Sequence, residues 1–95
     1  MMSFFAELVH TDKGVTCSDS GFMDLSTEEE CAGAVNYAKS FNSKASFHYA
    51  ATWSTLPKGC IIGYNGNILF NKHSTGGQSF TTHSVFGSIC RKGNT

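Results

Sequence analysis

Four cysteines and four histidines hold most of the reactive side-chain chemistry of this chain. Cys17, Cys31, Cys60 and Cys90 are spread along its length at separations of 14, 29 and 30 residues. None stands in a C-x-x-C pair, and no histidine lies within five residues of a cysteine. Structural zinc sites draw two ligands from one turn, so this spacing argues against zinc, and a thioredoxin-like redox motif is absent. An even number of well-separated cysteines fits two disulfides formed in an oxidising compartment. Paired cysteines also withdraw the thiolate that a Cys–His mechanism would need.

The histidines His10, His48, His73 and His83 contain no i,i+2 or i,i+4 pair, the spacing that seats a transition metal on one strand or helix. Asp19 and Asp24 stand among hydroxyls without EF-hand spacing, and "SDSG" lacks the strand-to-helix context of a nucleophile elbow. No catalytic residue, metal or cofactor is assigned. An enzyme would require two or more of Asp24, His48, His73 and His83 to converge. Aromatic side chains are the stronger clue. Trp53, the only tryptophan, ends a strand-like stretch, and Tyr49 and Tyr64 fall on neighbouring predicted strands with Phe70. They either fill the core or form a platform for a sugar ring or a partner protein. The polar loop 72–79, with His73, Ser74 and Thr75, adjoins them and completes the candidate binding set.

These residues must be positioned by a small number of elements. "STEEECAGAVNYAKSFN" is the clearest. Ser26 and Glu29 read as an S-x-x-E capping box, and Glu28, Glu29 and Glu30 favour a helix N-terminus. Cys31, Ala34, Val35, Ala38 and Phe41 then recur on one helical face, which predicts a single helix over about 27–41. Strands are expected at 3–9 and 46–53, where Phe47 and Tyr49 alternate with Ser46, His48 and Ala50. "CIIGY" and "NILFN" read as a hairpin around Asn65-Gly66, a type I′ signal, and "SFTTHSVFGSICR" as one or two closing strands. The expected fold is α+β: one helix packed on an antiparallel sheet of about five strands, in a single domain over 1–95.

Four cysteines allow three pairings. Cys31 lies on the apolar face of the helix and Cys60 on the hairpin strand expected beneath it. Cys31–Cys60 and Cys17–Cys90 is therefore the favoured pattern. The second bond would join the two ends of the fold.

Composition narrows the function classes. Hydrophobic residues make up 40% and aromatics 13% of 95 residues, enough for a core. Only 15% are charged, well below the usual quarter, and the formal net charge is zero. The cations are scattered, so neither a nucleic-acid stripe nor an electrostatic membrane anchor is expected. No apolar run approaches the roughly 20 residues of a membrane helix. The opening "MMSFFAELVH" has neither the basic n-region nor the cleavage site of a signal peptide. Its doubled Met reads as an initiator added to an internal or mature segment, with a natural signal removed.

In order along the chain, "TEEECAGAV", "LPKGC", "ILFN" and "SICR" resemble a small cysteine-rich extracellular module of predicted proteins in algae and other aquatic eukaryotes. Its helix-Cys to strand-Cys logic is also similar to that of apple-type modules. The likeness spans about residues 17–91, and the His- and Thr-rich insert between "LFN" and "SICR" departs from it. The resemblance implies secretion, disulfides and attachment to larger extracellular proteins, and brings no catalytic residues. The leading expectation is a secreted, non-enzymatic module that binds a protein or carbohydrate. A small His/carboxylate enzyme and a secreted effector or toxin-like protein are the alternatives, though effectors are usually more basic.

Overall fold

The computed structural model describes residues 7–54, 56–63, 65–74 and 86–92. Within them the elements are β1 (Leu8–His10), a 3₁₀ turn (Ser18–Ser20), β2 (Met23–Asp24), α1 (Glu28–Gly33), α2 (Val35–Ala38), β3 (Ser46–Ala51), β4 (Gly59–Gly63), β5 (Asn67–Asn71) and β6 (Phe86–Arg91). The expected strand at 3–9 survives only as β1, since residues 1–6 lie outside the described set. So do 75–85, which hold the rest of the expected closing strands.

The fold is α+β, with two short α-helices instead of one and six strands instead of about five among the described residues. The sheet runs β1-β6-β4-β5-β3. Cys90 of β6 pairs with Val9 of β1 and with Asp24 of β2, so these strands occupy opposite edges of β6. The two-residue β2 therefore continues the edge that β4 occupies farther along. Pairing is antiparallel except between β3 and β5, which run parallel. The parallel step follows from topology: the helices carry the chain from β2, beside β6, across to the far edge, where β3 enters beside β5.

The helix breaks at Ala34, whose φ and ψ of −84° and 0° leave the α region. Gly33, a weak helix former, precedes it. The Ala34 N–H turns to the Cys31 carbonyl at 3.1 Å, and the α-type ladder resumes with Ala38 N–H donating to Ala34. The capping box is also one residue later than its sequence signature. The Thr27 hydroxyl accepts from the Glu30 N–H at 3.0 Å, while Glu30 reaches back to the N–H groups of Thr27 and Ser26. Ser26, the expected cap, instead donates its hydroxyl to the Glu30 carboxylate at 3.1 Å.

One sheet face packs under the helices. Cys31, Ala34 and Ala38 are wholly buried against Cys60, Ile62, Ile68, Phe70 and Ile89. Small helical residues let the two backbones approach, and the Cys31–Cys60 disulfide spans them with a Cα–Cα distance of 5.3 Å. Cys17–Cys90 is the second bond, so the favoured pairing is the one the protein adopts. Phe41 departs from its expected place on the buried face. It lies past the end of α2 and is exposed.

The β4–β5 turn is not type I′, because no non-glycine residue among those described has a positive φ, and I′ would require one at Asn65. Gly66 alone is left-handed, at φ +92°, and its N–H closes the turn on the Gly63 carbonyl. A Cβ there would fall 2.6 Å from the Lys44 carbonyl, so the strand entry at 44–46 packs directly on this glycine.

Three outcomes follow. Peptide mapping without reduction recovers Cys31 linked to Cys60 and Cys17 linked to Cys90. Thr27→Ala lowers stability by about 1 kcal/mol in a thermal melt, and Ser26→Ala by less, since only the former loses a cap to a backbone N–H. The third concerns Glu30, held below the ordinary glutamate value first by the Ser26 N–H, then by the Ser26 hydroxyl, the Thr27 N–H and the charge of Arg91, against a smaller opposing effect of burial. A lowered folded value contributes stability that is present above the unfolded pKa and lost as pH falls. The melting advantage of the parent over Glu30→Gln is therefore present at neutral pH and disappears in acid.

Candidate functional site

A bulge in β3 decides which aromatic side chains reach the surface. The register with β5 shifts between Phe47 and Tyr49, leaving His48 as the extra residue. Phe47 pairs with Ile68 and Ala50 with Phe70, so both face the helices although two residues stand between them. Tyr49 pairs with Leu69 and faces the other way, 55% exposed. The simple alternation that put Phe47 and Tyr49 on one face is thus broken by one inserted residue. Phe70, a candidate member of an aromatic row, turns into the core and is 7% exposed.

Tyr49 meets Trp53, with ring centroids 6.0 Å apart and planes inclined at 43°. Trp53 is half-buried, and its backbone is tied down by Asn71. The Asn71 carbonyl oxygen accepts from the N–H groups of Trp53 and His73 at 2.9 and 3.1 Å. Its NH₂ donates to the carbonyls of Trp53, Leu56 and Pro57 at 2.9 to 3.0 Å. All these partners are backbone groups, which leaves one orientation for the amide. Asn71 is 1% exposed, and its amide replaces strand pairing for the linker between β3 and β4. It also brings the backbones of Trp53 and His73 to one acceptor. Of the candidate binding residues, Tyr49, Trp53, His73 and Ser74 are therefore on one end of the fold, while Tyr64 and Thr75 lie outside the described residues. Of the histidines, His48 is exposed at the bulge and His83 is outside the described set.

At the same end, a cleft of about 730 Å³ opens where β2, β4, β5 and β6 terminate. His73 and Ser74 line it, together with Phe22, Met23, Asp24 and Lys58, so Asp24 and His73, two of the four side chains whose convergence an enzyme would require, border one cleft. Burial pushes the Asp24 carboxyl above the ordinary aspartate value, and the nearby Lys58 ammonium, 3.9 Å away, only partly offsets this. Among the described residues, no three His, Cys, Asp or Glu side chains gather as metal ligands. No helix among them is long and apolar enough to cross a membrane.

Sequence reasoning missed two groupings. Asp24 and Lys58 meet because a two-residue strand extends the β4 edge, a feature too short to leave a periodic signal. The second is a cluster of His10, Tyr37 and Phe41. His10 Nδ1 hydrogen-bonds the Tyr37 hydroxyl at 2.8 Å and its ring stacks on Phe41 at 3.7 Å. The i,i+4 spacing of Tyr37 and Phe41 was visible, but their partner comes from β1, 27 residues before Tyr37. Burial raises the Tyr37 hydroxyl above the ordinary tyrosine value.

No protein-family model, curated protein or solved structure matches the chain.

Removing the Asn71 amide strands several buried backbone groups at once. Asn71→Ala is expected to cost at least about 1–3 kcal/mol in denaturant unfolding, the range for leaving a buried polar group unpaired. Asn71→Asp, nearly the same size, fails too, because it turns an acceptor toward three carbonyls. A melt of either variant matching the parent would remove Asn71 from its place as organiser of this end.

Proposed function

We propose that this domain is a secreted, non-enzymatic recognition module that binds an extracellular protein or carbohydrate through the Tyr49–Trp53 surface and the adjoining His73 and Ser74. The exposed Tyr49 ring beside the half-buried Trp53 carries the reading. Aromatic rings held at a surface supply contact area at low entropic cost and dominate the energetics of recognition sites. The Trp53 backbone is fastened at both its N–H and its carbonyl, which fixes where its side chain leaves the chain. Such preorganisation favours affinity. Two disulfides suit an oxidising compartment and support the extracellular assignment.

The test is an array of glycans and extracellular proteins probed with the intact domain. Tyr49→Ala and Trp53→Ala should each weaken the responding interaction by about 1 kcal/mol or more, while non-reducing peptide maps stay unchanged. Full retention of binding in both variants would overturn the assignment. Acrylamide should quench the fluorescence of Trp53 in the parent, because the residue is only half-buried.

A further inference from the structure

The Asp24–Lys58 pair in the cleft is the feature that the fold leaves unexplained. Its two charged atoms stand 3.9 Å apart, beyond the length of a direct hydrogen bond. Both side chains are partly exposed, Lys58 at 47% and Asp24 at 25%. An oxygen placed about 2.8 Å from each would bridge them at near a right angle. A hydroxyl group has the matching polarity, since its hydrogen donates to the carboxylate while its oxygen accepts from the ammonium.

The rest of the cleft narrows the ligand. The cations Lys58, Lys72 and Arg91 stand against the carboxylates Asp24 and Glu28, so no strong field of one sign selects an ion. Phe22, half-buried, and Met23, 50% exposed, add apolar surface to the lining, with the side chains of Met23 and Asp24 leaving β2 on opposite faces. A sugar ring has this dual character, with hydroxyls at its rim and C–H groups on its face. The volume of about 730 Å³ is within the range of small-molecule sites, roughly 300–1,000 Å³.

We propose that this cleft is a subsite for an uncharged saccharide, with Asp24 and Lys58 sharing one sugar hydroxyl and Phe22 packing on the ring. The proposal rests on the recognition reading above, takes its carbohydrate branch, and assigns the specificity to residues outside the Tyr49–Trp53 pair.

The experiment is an NMR titration of the ¹⁵N-labelled intact domain with neutral tetrasaccharides of glucose, N-acetylglucosamine, mannose and galactose, and with an acidic oligogalacturonate. At least one neutral sugar should shift the amides of Phe22, Asp24 and Lys58. Asp24→Ala and Lys58→Met should each weaken that sugar at least tenfold while amide dispersion stays native, and Lys58→Arg, which keeps a donor, should retain most of the affinity. Shifts confined to Tyr49 and Trp53 would overturn the cleft assignment and leave the recognition reading intact. Binding of the acidic oligomer alone would overturn it as well. Failure of every sugar to shift any amide would also overturn it, whereas the broader reading falls only if array binding survives Tyr49→Ala and Trp53→Ala.

Discussion

The Cys31–Cys60 bond sets how closely the helical segment lies on the middle of the sheet. Cys60 belongs to β4, which has neighbours on both sides, and Cys31 is fully buried above it. A covalent link this short leaves no room for large side chains along the contact. Ala34 and Ala38 fill the helical side, and the sheet supplies the bulk through Ile62, Ile68, Phe70 and Ile89. In the chain-entropy picture, closing loops of this length removes about 4 kcal/mol of freedom from the unfolded chain for each bond. That is large for a domain of 95 residues.

The opposite face is organised by different chemistry. Cys17–Cys90 fastens the chain there, and the Thr11 hydroxyl accepts from Ser88 N–H at 2.9 Å while donating to the Val15 carbonyl at 2.6 Å. Gly87 permits this approach, since a Cβ would fall 2.5 Å from the Thr11 carbonyl. Ile61 is fully buried on this side as well, so β4 is covered on both faces. A strand sealed on both sides reads as a continuous apolar run, which is how "CIIG" reads.

With the sheet centre sealed, the proposed recognition chemistry is left to its ends and its outer strand. Asn71 holds the linker after β3 in place with one buried amide, and the same amide sets the backbone of Trp53 beside that of His73. The aromatic pair and the cleft thus share one anchor, since Asn71 also lines the cleft. Rigid scaffolding under exposed side chains is the physical basis for proposing that this end of the molecule binds a ligand.

The amino-acid sequence by itself determined the α+β class, the capped start of the helical segment, the β4–β5 hairpin and the cysteine pairing. Each rests on a local pattern: helical spacing, a polar cap before an acidic turn, or apolar runs around a glycine turn. Cys31 and Cys60 could be paired because each lay on an element whose buried face was already legible. The tertiary structure alone decided the break at Ala34, the parallel step between β3 and β5, and the bulge at His48. A bulge changes the face of every later residue in its strand, and it depends on the register of the neighbouring strand, so no pattern within "SFHYAATW" separates Phe47 from Tyr49. Asn71 was visible only as the end of an "ILFN" segment. Its five backbone partners come from Trp53 to His73 and exist as a set only once the chain has turned back on itself. Asp24 and Lys58 are 34 residues apart and meet because β2 and β4 share one edge of β6, an arrangement made by long-range hydrogen bonding that local sequence does not encode.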